Sequence, residues 1–388
     1  MMTRTNTVPA LRFVSFEEDW RPKKIGKITS KVGSGKTPRG GSKIYTDEGV
    51  PFIRSQNVNN NRLDLSDLTF IPNEIDEEMA NSRVHPNDIL LNITGASIGR
   101  SCVVPSDFQS GNVNQHVCII RLDPNYDARF LQPLLASSRG QKLIETGQTG
   151  SGREGLNFQS IRSFSVGFPT LSEQRKIADF LTAVDGRIGQ LIQKKALLED
   201  YKKGVMQQLF SQAIRFKDEH GNDFPDWEEK KLGEVLTIGS GRDYKHLGEG
   251  DVPVYGSGGV MTYVDEALYE GESVGIGRKG TIDNPQFLQG AFWTVDTLFY
   301  THSFKKVLPR FIFAVFQTIN WKAHNEAGGV PSLSKRTIDK IPLTVPTLPE
   351  QTKIADFLSA IDRKIESVAT QITETQTFKR GLLQQMFV

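Results

Sequence analysis

Two stretches of the chain place apolar residues at alternating steps of four and three. One runs through Ile177, Leu181, Val184, Ile188, Leu191, Lys195, Leu198, Lys202, Val205 and Leu209. The other runs through Ile354, Leu358, Ile361, Ile365, Val368, Ile372, Thr375, Lys379, Leu382 and Met386. This is a heptad seam with a few polar interruptions, and it predicts two long amphipathic helices. Each opens on a related motif, Pro169-Thr170-Leu171-Ser172-Glu173-Gln174 and Pro346-Thr347-Leu348-Pro349-Glu350-Gln351. Thr170 with Glu173, and Thr347 with Glu350, fit a capping box, and Pro349 falls in a first turn where its missing N–H matters little. From Pro169 to Ile188 the copies align without a gap at an offset of 177, with 14 of 20 residues identical. Gly186 and Gly189 weaken the first helix by about 1 kcal/mol each relative to Ala. Gly204 and Gly381 occupy matched positions and are expected to allow close approach.

Before each helix lies a block with shorter periods. In residues 11–168, Pro51-Phe52-Ile53, Asp88-Ile89-Leu90-Leu91-Asn92-Ile93 and His116-Val117-Cys118-Ile119-Ile120 read as strands between Gly, Asn and Pro clusters. Residues 128–143 read as one helix. In residues 216–345, Val252-Pro253-Val254-Tyr255, Ser273-Val274-Gly275-Ile276 and Thr294-Val295-Asp296 read as strands and 309–321 as a helix. The block ends repeat: Trp20 precedes Gly26 by six residues, as Trp227 precedes Gly233, and Leu156, Ile161, Phe164 and Phe168 match Leu333, Ile338, Ile341 and Val345. The middles diverge in sequence. The chain reads as block, helix, block, helix, with a polar, flexible stretch of about ten residues at the start.

An amphipathic helix ordinarily lies on its own domain. Equal length, equal register and matched seams favour instead a pair of helices packed on each other. An antiparallel pair of about 38 residues would be a rod of ~57 Å with one block at each end. The seam residues expected to meet are Ile177, Leu181, Val184, Ile188, Leu191 and Leu198 with Ile354, Leu358, Ile361, Ile365, Val368 and Ile372.

Composition adds limits. At 388 residues there is room for two or three domains. No apolar run is long enough to span a membrane, and Cys102 and Cys118 alone make neither a disulfide framework nor a zinc site, which favours a reducing cytoplasm. Net charge is +2, and residues 216–347 carry 14 basic against 18 acidic side chains. A nucleic-acid surface would therefore need local segregation of charge.

Candidate chemistry is mostly subtractive. Gly33-Ser34-Gly35-Lys36-Thr37 looks like the end of a phosphate-binding loop, but Ser30 stands where Gly is required and Pro38-Arg39-Gly40-Gly41 breaks the helix that must follow. Asn284-Pro285-Gln286-Phe287 approaches an amino-methyltransferase motif, with Gln286 replacing a Pro and no cofactor loop beside it. The six histidines form no metal-ligand spacing, so neither catalytic nor metal residues are assigned. What remains are loops mixing Gly with Arg, Lys, Asn, Gln and Ser, in parallel positions of both blocks. Glycine admits close backbone approach, Arg and Lys suit guanine edges and phosphates, and Asn and Gln suit adenine. The candidates in the first block are Lys36, Thr37, Arg39, Arg54, Gln56, Asn57, Thr94, Ser97, Arg100 and Arg153. In the second they are Arg242, Tyr244, Lys245, Tyr255, Ser257, Arg278, Lys279, Thr281 and Lys335.

The repeated Pro-Thr-Leu-x-Glu-Gln-x-Lys-Ile-Ala-Asp-Phe-Leu opening, the ending Gly381 to Phe387, the approach from Trp227 to Gly233 and the loop Gly35-Lys36-Thr37-Pro38 together resemble the DNA-specificity subunit of type I restriction–modification enzymes. The resemblance covers nearly the whole chain. It implies an α+β fold of two mixed α/β target-recognition domains (1–168 and 214–345) separated by a pair of long antiparallel coiled-coil helices (169–213 and 346–388), with a pseudo-two-fold internal repeat. It implies a non-catalytic subunit that reads a bipartite, asymmetric site in double-stranded DNA. It implies as partners two methyltransferase subunits and motor-nuclease restriction subunits. No cofactor is expected on this chain; S-adenosylmethionine, ATP and Mg belong to the partners. A bacterial or archaeal cytoplasm, on the nucleoid and away from membranes, is the expected place. The recognition subunit of another restriction class, with a fused nuclease–methyltransferase partner, and a coiled-coil scaffold with two protein-binding heads are the alternatives.

Overall fold

The computed structural model describes residues 8–59, 61–149 and 155–388. The first seven residues of the stretch expected to be flexible, and Arg153 among the candidates, lie outside the described residues. The chain divides into two compact units, Met1–Leu191 with Gln371–Val388, and Ile192–Thr370. Each unit thus holds one block, the half of one long helix that adjoins it, and the opposite half of the other.

The blocks share one framework although their sequences diverge. In the first unit a four-stranded antiparallel sheet runs in the order Thr29–Ser34, Val117–Leu122, Ile89–Asn92, Ser101–Val103. In the second the order is Thr237–Ser240, Leu298–His302, Ser273–Gly277, Gln286–Leu288. A second sheet in each unit contains one parallel pair. Phe52 faces Asn112 and Ile53 faces Val113 in the first unit; Val254 faces Trp293 and Tyr255 faces Thr294 in the second. A two-stranded ribbon, Arg21–Lys24 with Ser165–Phe168 or Glu228–Lys231 with Pro342–Val345, closes each block. The central strand Ile89–Asn92 is buried at every residue, which accounts for its unbroken apolar run.

Local details differ from the periodicity. Residues 128–143 form two helices, Ala128–Ala136 and Ser138–Thr146, because Ser137 stops the first and caps the second by accepting a hydrogen bond from Gly140 N. The segment 309–321 is α-helical over Pro309–Thr318, and Trp321 opens a separate 3-10 turn, Trp321–His324. The strand expected at 294–296 lies earlier, at Ala291–Thr294.

The long helices are Leu171–Phe210 and Leu348–Met386. Within the first unit, Ile177, Leu181 and Val184 share a core with Leu382, Met386 and Phe387. Within the second, Met206 and Leu209 share a core with Ile354, Leu358 and Ile361. Low numbers of one helix meet high numbers of the other, so in each unit the two helices run antiparallel. Of the seam residues, Ile177, Leu181, Val184, Leu191, Ile354, Leu358, Ile361 and Val368 are buried, and Ile188, Leu198, Ile365 and Ile372 are half-buried. Gly204 and Gly381 do not serve close approach: a methyl added at either meets nothing within 4 Å.

The repeated opening motif works differently from a capping box. Glu173 N does donate to Thr170 Oγ1 at 3.4 Å, but the Glu173 carboxylate turns into the block. There Arg12 grips it with two hydrogen bonds of 2.7 and 2.8 Å, and Trp20 Nε1 donates at 3.3 Å. Glu350 repeats the arrangement with Arg215, at 3.1 and 2.8 Å, and Trp227, at 3.1 Å, while Thr347 Oγ1 is left buried without a partner. A carboxylate this deeply buried needs a cation more than it needs a backbone N–H. The adjacent Gln174 and Gln351 take the backbone role, donating to Pro169 O and Pro346 O and accepting from Asp127 N and Leu308 N. Aromatic rings finish the joint. Trp20, Phe130 and Phe387 cluster with ring centres 5.4 to 6.4 Å apart. Trp227, Phe311 and Phe210 do so at 5.9 to 6.3 Å.

Candidate nucleic-acid interface

The Gly-polar loops of each block meet at one end of its main sheet, around a three-residue segment. In the first unit it is Asn114-Gln115-His116 and in the second Val295-Asp296-Thr297. The equivalence is carried by the backbone. Asn114 N donates to Ile53 O (3.1 Å) as Val295 N donates to Tyr255 O (3.0 Å). Ile93 N donates to His116 O (3.0 Å) as Arg278 N donates to Thr297 O (2.8 Å). Leu156 N donates to Ile93 O as Leu333 N donates to Arg278 O, both at 2.9 Å. Isolated bridges join Thr94 to Gly155 and Lys279 to Ser332. The loop after the first sheet strand comes so close in both units that no side chain fits. A Cβ on Gly35 would sit 1.6 Å from Val113 O, and one on Gly241 2.0 Å from Val295 O. Gly33-Ser34-Gly35 therefore ends a strand, with no helix directly after it.

Most candidates gather here. Lys36, Thr37 and Arg39 are exposed beside the segment, and the Thr37 hydroxyl donates to Gln115 Oε1. Thr94 Oγ1 lies 2.5 Å from His116 Nδ1. Ser97 is half-buried, and Arg100 is exposed with Nη1 donating to Asn59 Oδ1 at 3.4 Å. Arg54 is half-buried, and Gln56 is exposed with its amide donating to Asp67. Asn57 stands apart. It is buried, its oxygen accepts from Arg54 N and its amide donates to Asp64 O and Asp67 O, so it holds the loop and offers no free edge. In the second unit Tyr244, Lys245 and Ser257 line a cavity of 580 Å³ with Val295, Asp296 and Thr297. Arg242 is exposed, anchored by its N–H to Thr294 O. Arg278 and Lys335 each place their charge 5.9 Å from the Phe299 ring centre. Lys279 and Thr281 are exposed, and Tyr255 packs edge-on to Phe292 at 6.3 Å.

Three buried polar atoms without a hydrogen-bond partner, Arg54 Nε, Asn92 Oδ1 and Thr294 Oγ1, lie in or next to these loops. Sequence reasoning missed the central segments themselves. Gln115 and Asp296 are not among the sequence-derived candidates because no motif marks them: the sequence reads His116 as the head of one strand and Val295-Asp296 as the end of another, whereas 114–116 and 295–297 connect Asn112–Val113 to Val117–Leu122 and Ala291–Thr294 to Leu298–His302. Gln286 of the methyltransferase-like motif lies in an edge strand with its amide on Gly256 O. Among the described residues no group of three or more His, Cys, Asp or Glu could hold a metal ion, and no helix is long and apolar enough to cross a membrane.

The sequence profile of the type I restriction modification DNA specificity domain matches residues 17–200 and 225–376. The chain belongs to this family. Both matches include a block and most of the long helix that follows it, so the family's unit is the repeat described above. The specificity family also supplies full-length relatives. A provisionally assigned type I restriction enzyme specificity subunit, MjaX of Methanocaldococcus jannaschii, is 23% identical over 94% of this chain and 92% of its own. The EcoprrI specificity subunit of Escherichia coli is 21% identical over 94% and 91%. The fold matches the crystal structure of the S subunit from M. genitalium with a TM-score of 0.66 at 18% identity, over 98% of this chain and 99% of that one. Membership of a family of specificity subunits gives the chain a non-catalytic role in its restriction–modification complex.

Proposed function

We propose that the chain reads a bipartite, asymmetric site in double-stranded DNA, one half with the loop face of each unit. The observation that carries this reading is the duplicated loop face: one set of backbone hydrogen bonds, repeated in both units, presents two different sets of side chains. A shared scaffold with divergent tips is what two readers of different half-sites require. Lys36, Arg39 and Arg100, and Arg242, Lys245, Arg278, Lys279 and Lys335, supply exposed cations for phosphates and guanine edges. This local segregation offsets the net acidity of the second block. The long helices set the unspecified spacer between the half-sites. Their outer faces receive the methyltransferase subunits: Tyr201 and Phe378, 177 residues apart, are 53% and 55% exposed, which suits two copies of one partner. Motor-nuclease subunits join that assembly. The methyl donor, ATP and magnesium act on the partners, in the cytoplasm.

The test is an exchange of residues 11–168 for the corresponding block of a relative, read by methylome sequencing of a host carrying the chain and its methyltransferase. One half-site should change and the other should persist. Change in both halves, or no duplex binding by the complex with its expected steep salt dependence, would overturn the proposal and favour a protein-binding scaffold.

A further inference from the structure

The backbone equivalence puts Gln115 and Asp296 at the same position, in the middle of the two central segments. Both residues are exposed; Gln115 meets the loop after the first sheet strand through Thr37, and Asp296 shares a cavity with Tyr244, Lys245 and Ser257. Resting on the DNA-reading function above, we propose that these two residues decide one base each in their half-sites: Gln115 pairs with an adenine, and Asp296 accepts from a cytosine.

Gln115 is held in a chain of side chains. The Thr37 hydroxyl donates to its Oε1, and its Nε2 lies 3.1 Å from His116 Nε2, whose ring reaches Thr94 Oγ1 through Nδ1. With the amide in this orientation Gln115 Nε2 donates to His116 Nε2, and the ring's Nδ1 meets the Thr94 hydroxyl. The amide then retains one N–H and one oxygen lone pair. That is the donor–acceptor pair that matches N7 and N6 of adenine in the major groove. Thr37 and Thr94 fix the orientation before any ligand arrives, so they act as positioning residues.

Asp296 offers acceptors only. Arg242, Lys245, Arg278, Lys279 and Lys335 on the same face suit phosphates, which a carboxylate repels. The group that a carboxylate fits on a base edge is a donor, and cytosine N4 presents one in the major groove. The Asp296 carbonyl receives Arg278 Nη1 at 3.4 Å, which ties the segment to the neighbouring cationic loop.

The experiment uses the full chain in complex with its methyltransferase. Gln115→Glu turns a donor–acceptor amide into an acceptor; Asp296→Asn does the reverse. Methylome sequencing and competition binding against single-base variants of the site read the result. Gln115→Glu should move one position of the first half-site from adenine toward cytosine, with discrimination changing roughly 5- to 150-fold. Asp296→Asn should do the opposite in the second half-site, and neither should alter the other half or the spacer. Alanine at each position should relax that base alone. Unchanged motifs in Gln115→Glu and Asp296→Asn, with a wild-type complex that methylates a bipartite site, would overturn this inference and leave the DNA-reading function standing. A wild-type complex that recognises no such site would remove both.

Discussion

Lys379 Nζ lies 2.5 Å from Asp185 Oδ1, where the second long helix crosses the first inside the first unit. The second unit makes the same contact with the helices exchanged: Lys202 Nζ lies 2.7 Å from Asp362 Oδ1. Asp362 follows Asp185, and Lys379 follows Lys202, by the same 177 residues. One antiparallel register is therefore pinned twice by one ion pair. The lysine side chains are only 10% and 14% exposed while the aspartates are 44% and 43% exposed, so each bridge joins a buried ammonium to a carboxylate at the rim. Replacing Asp185 with Ala strands that ammonium and should cost about 1–2 kcal/mol, the figure for a buried pair reduced for solvent at the rim. Asp185→Leu with Lys379→Met should recover most of it. Thermal melting of the two variants checks the difference; equal loss in both would mean that the pair contributes packing alone.

The buried carboxylates should behave more severely. Glu173 and Glu350 are almost fully enclosed, and the paired guanidiniums are pushed to still higher pKa by those carboxylates, the hydrogen bond being the main cause. Arg215→Met leaves Glu350 buried and uncompensated, at about 3–5 kcal/mol. Arg215→Met combined with Glu350→Gln should be milder than Arg215→Met alone, because the charge and its counter-charge leave together. Chemical denaturation of Arg215→Met, Glu350→Gln and the double variant measures this. An additive double variant would show that Glu350 does not depend on Arg215.

How far the sequence revealed this molecule follows from where each signal resides. The helix seam was legible because a four–three spacing is local and survives in any context. The partner of Glu173 was not, because Arg12 stands 161 residues away and a local capping rule offered a nearer partner. The common framework of the blocks was hidden in strand order, which fixes no residue identity. Asn57 reads as an adenine-seeking amide in sequence and is an internal brace in the fold. Gln115 and Asp296 show the reverse: their importance comes from backbone bonds to residues far along the chain.

Cys102 and Cys118 give a dependence on pH. Burial pushes both thiols up to about 12, from 9.0 for the free group. The folded state keeps these protons while the unfolded state releases them above pH 9, so the unfolded chain binds fewer protons there. Stability is full below about pH 9 and falls as pH rises toward 12, by about 1.4 kcal/mol per pH unit for each thiol. Melting curves from pH 7 to 11 should decline from about pH 9, and Cys102→Ala with Cys118→Ala should flatten the decline. At pH 8 a thiol reagent should label neither cysteine until denaturant is added.

Glycines separate scaffold from reading face. At Gly35 and Gly241 an added methyl runs into backbone oxygens, which cannot rotate away as a side chain could. Gly35→Ala must move the loop that carries Lys36, Thr37 and Arg39, at about 1–3 kcal/mol of strain, and should relax the first half-site only. Gly241→Ala should relax the second half-site only, through Arg242, Tyr244 and Lys245. Gly186 and Gly189, inside the first long helix, have nothing within 4 Å of an added methyl. Alanine there should raise stability by up to about 1 kcal/mol each and leave the methylated motif unchanged. Melting temperature and methylome sequencing, taken on all four variants, separate the two classes. A specificity change from Gly186→Ala, or none from Gly35→Ala in a folded protein, would show that the loop face is not where sequence is read.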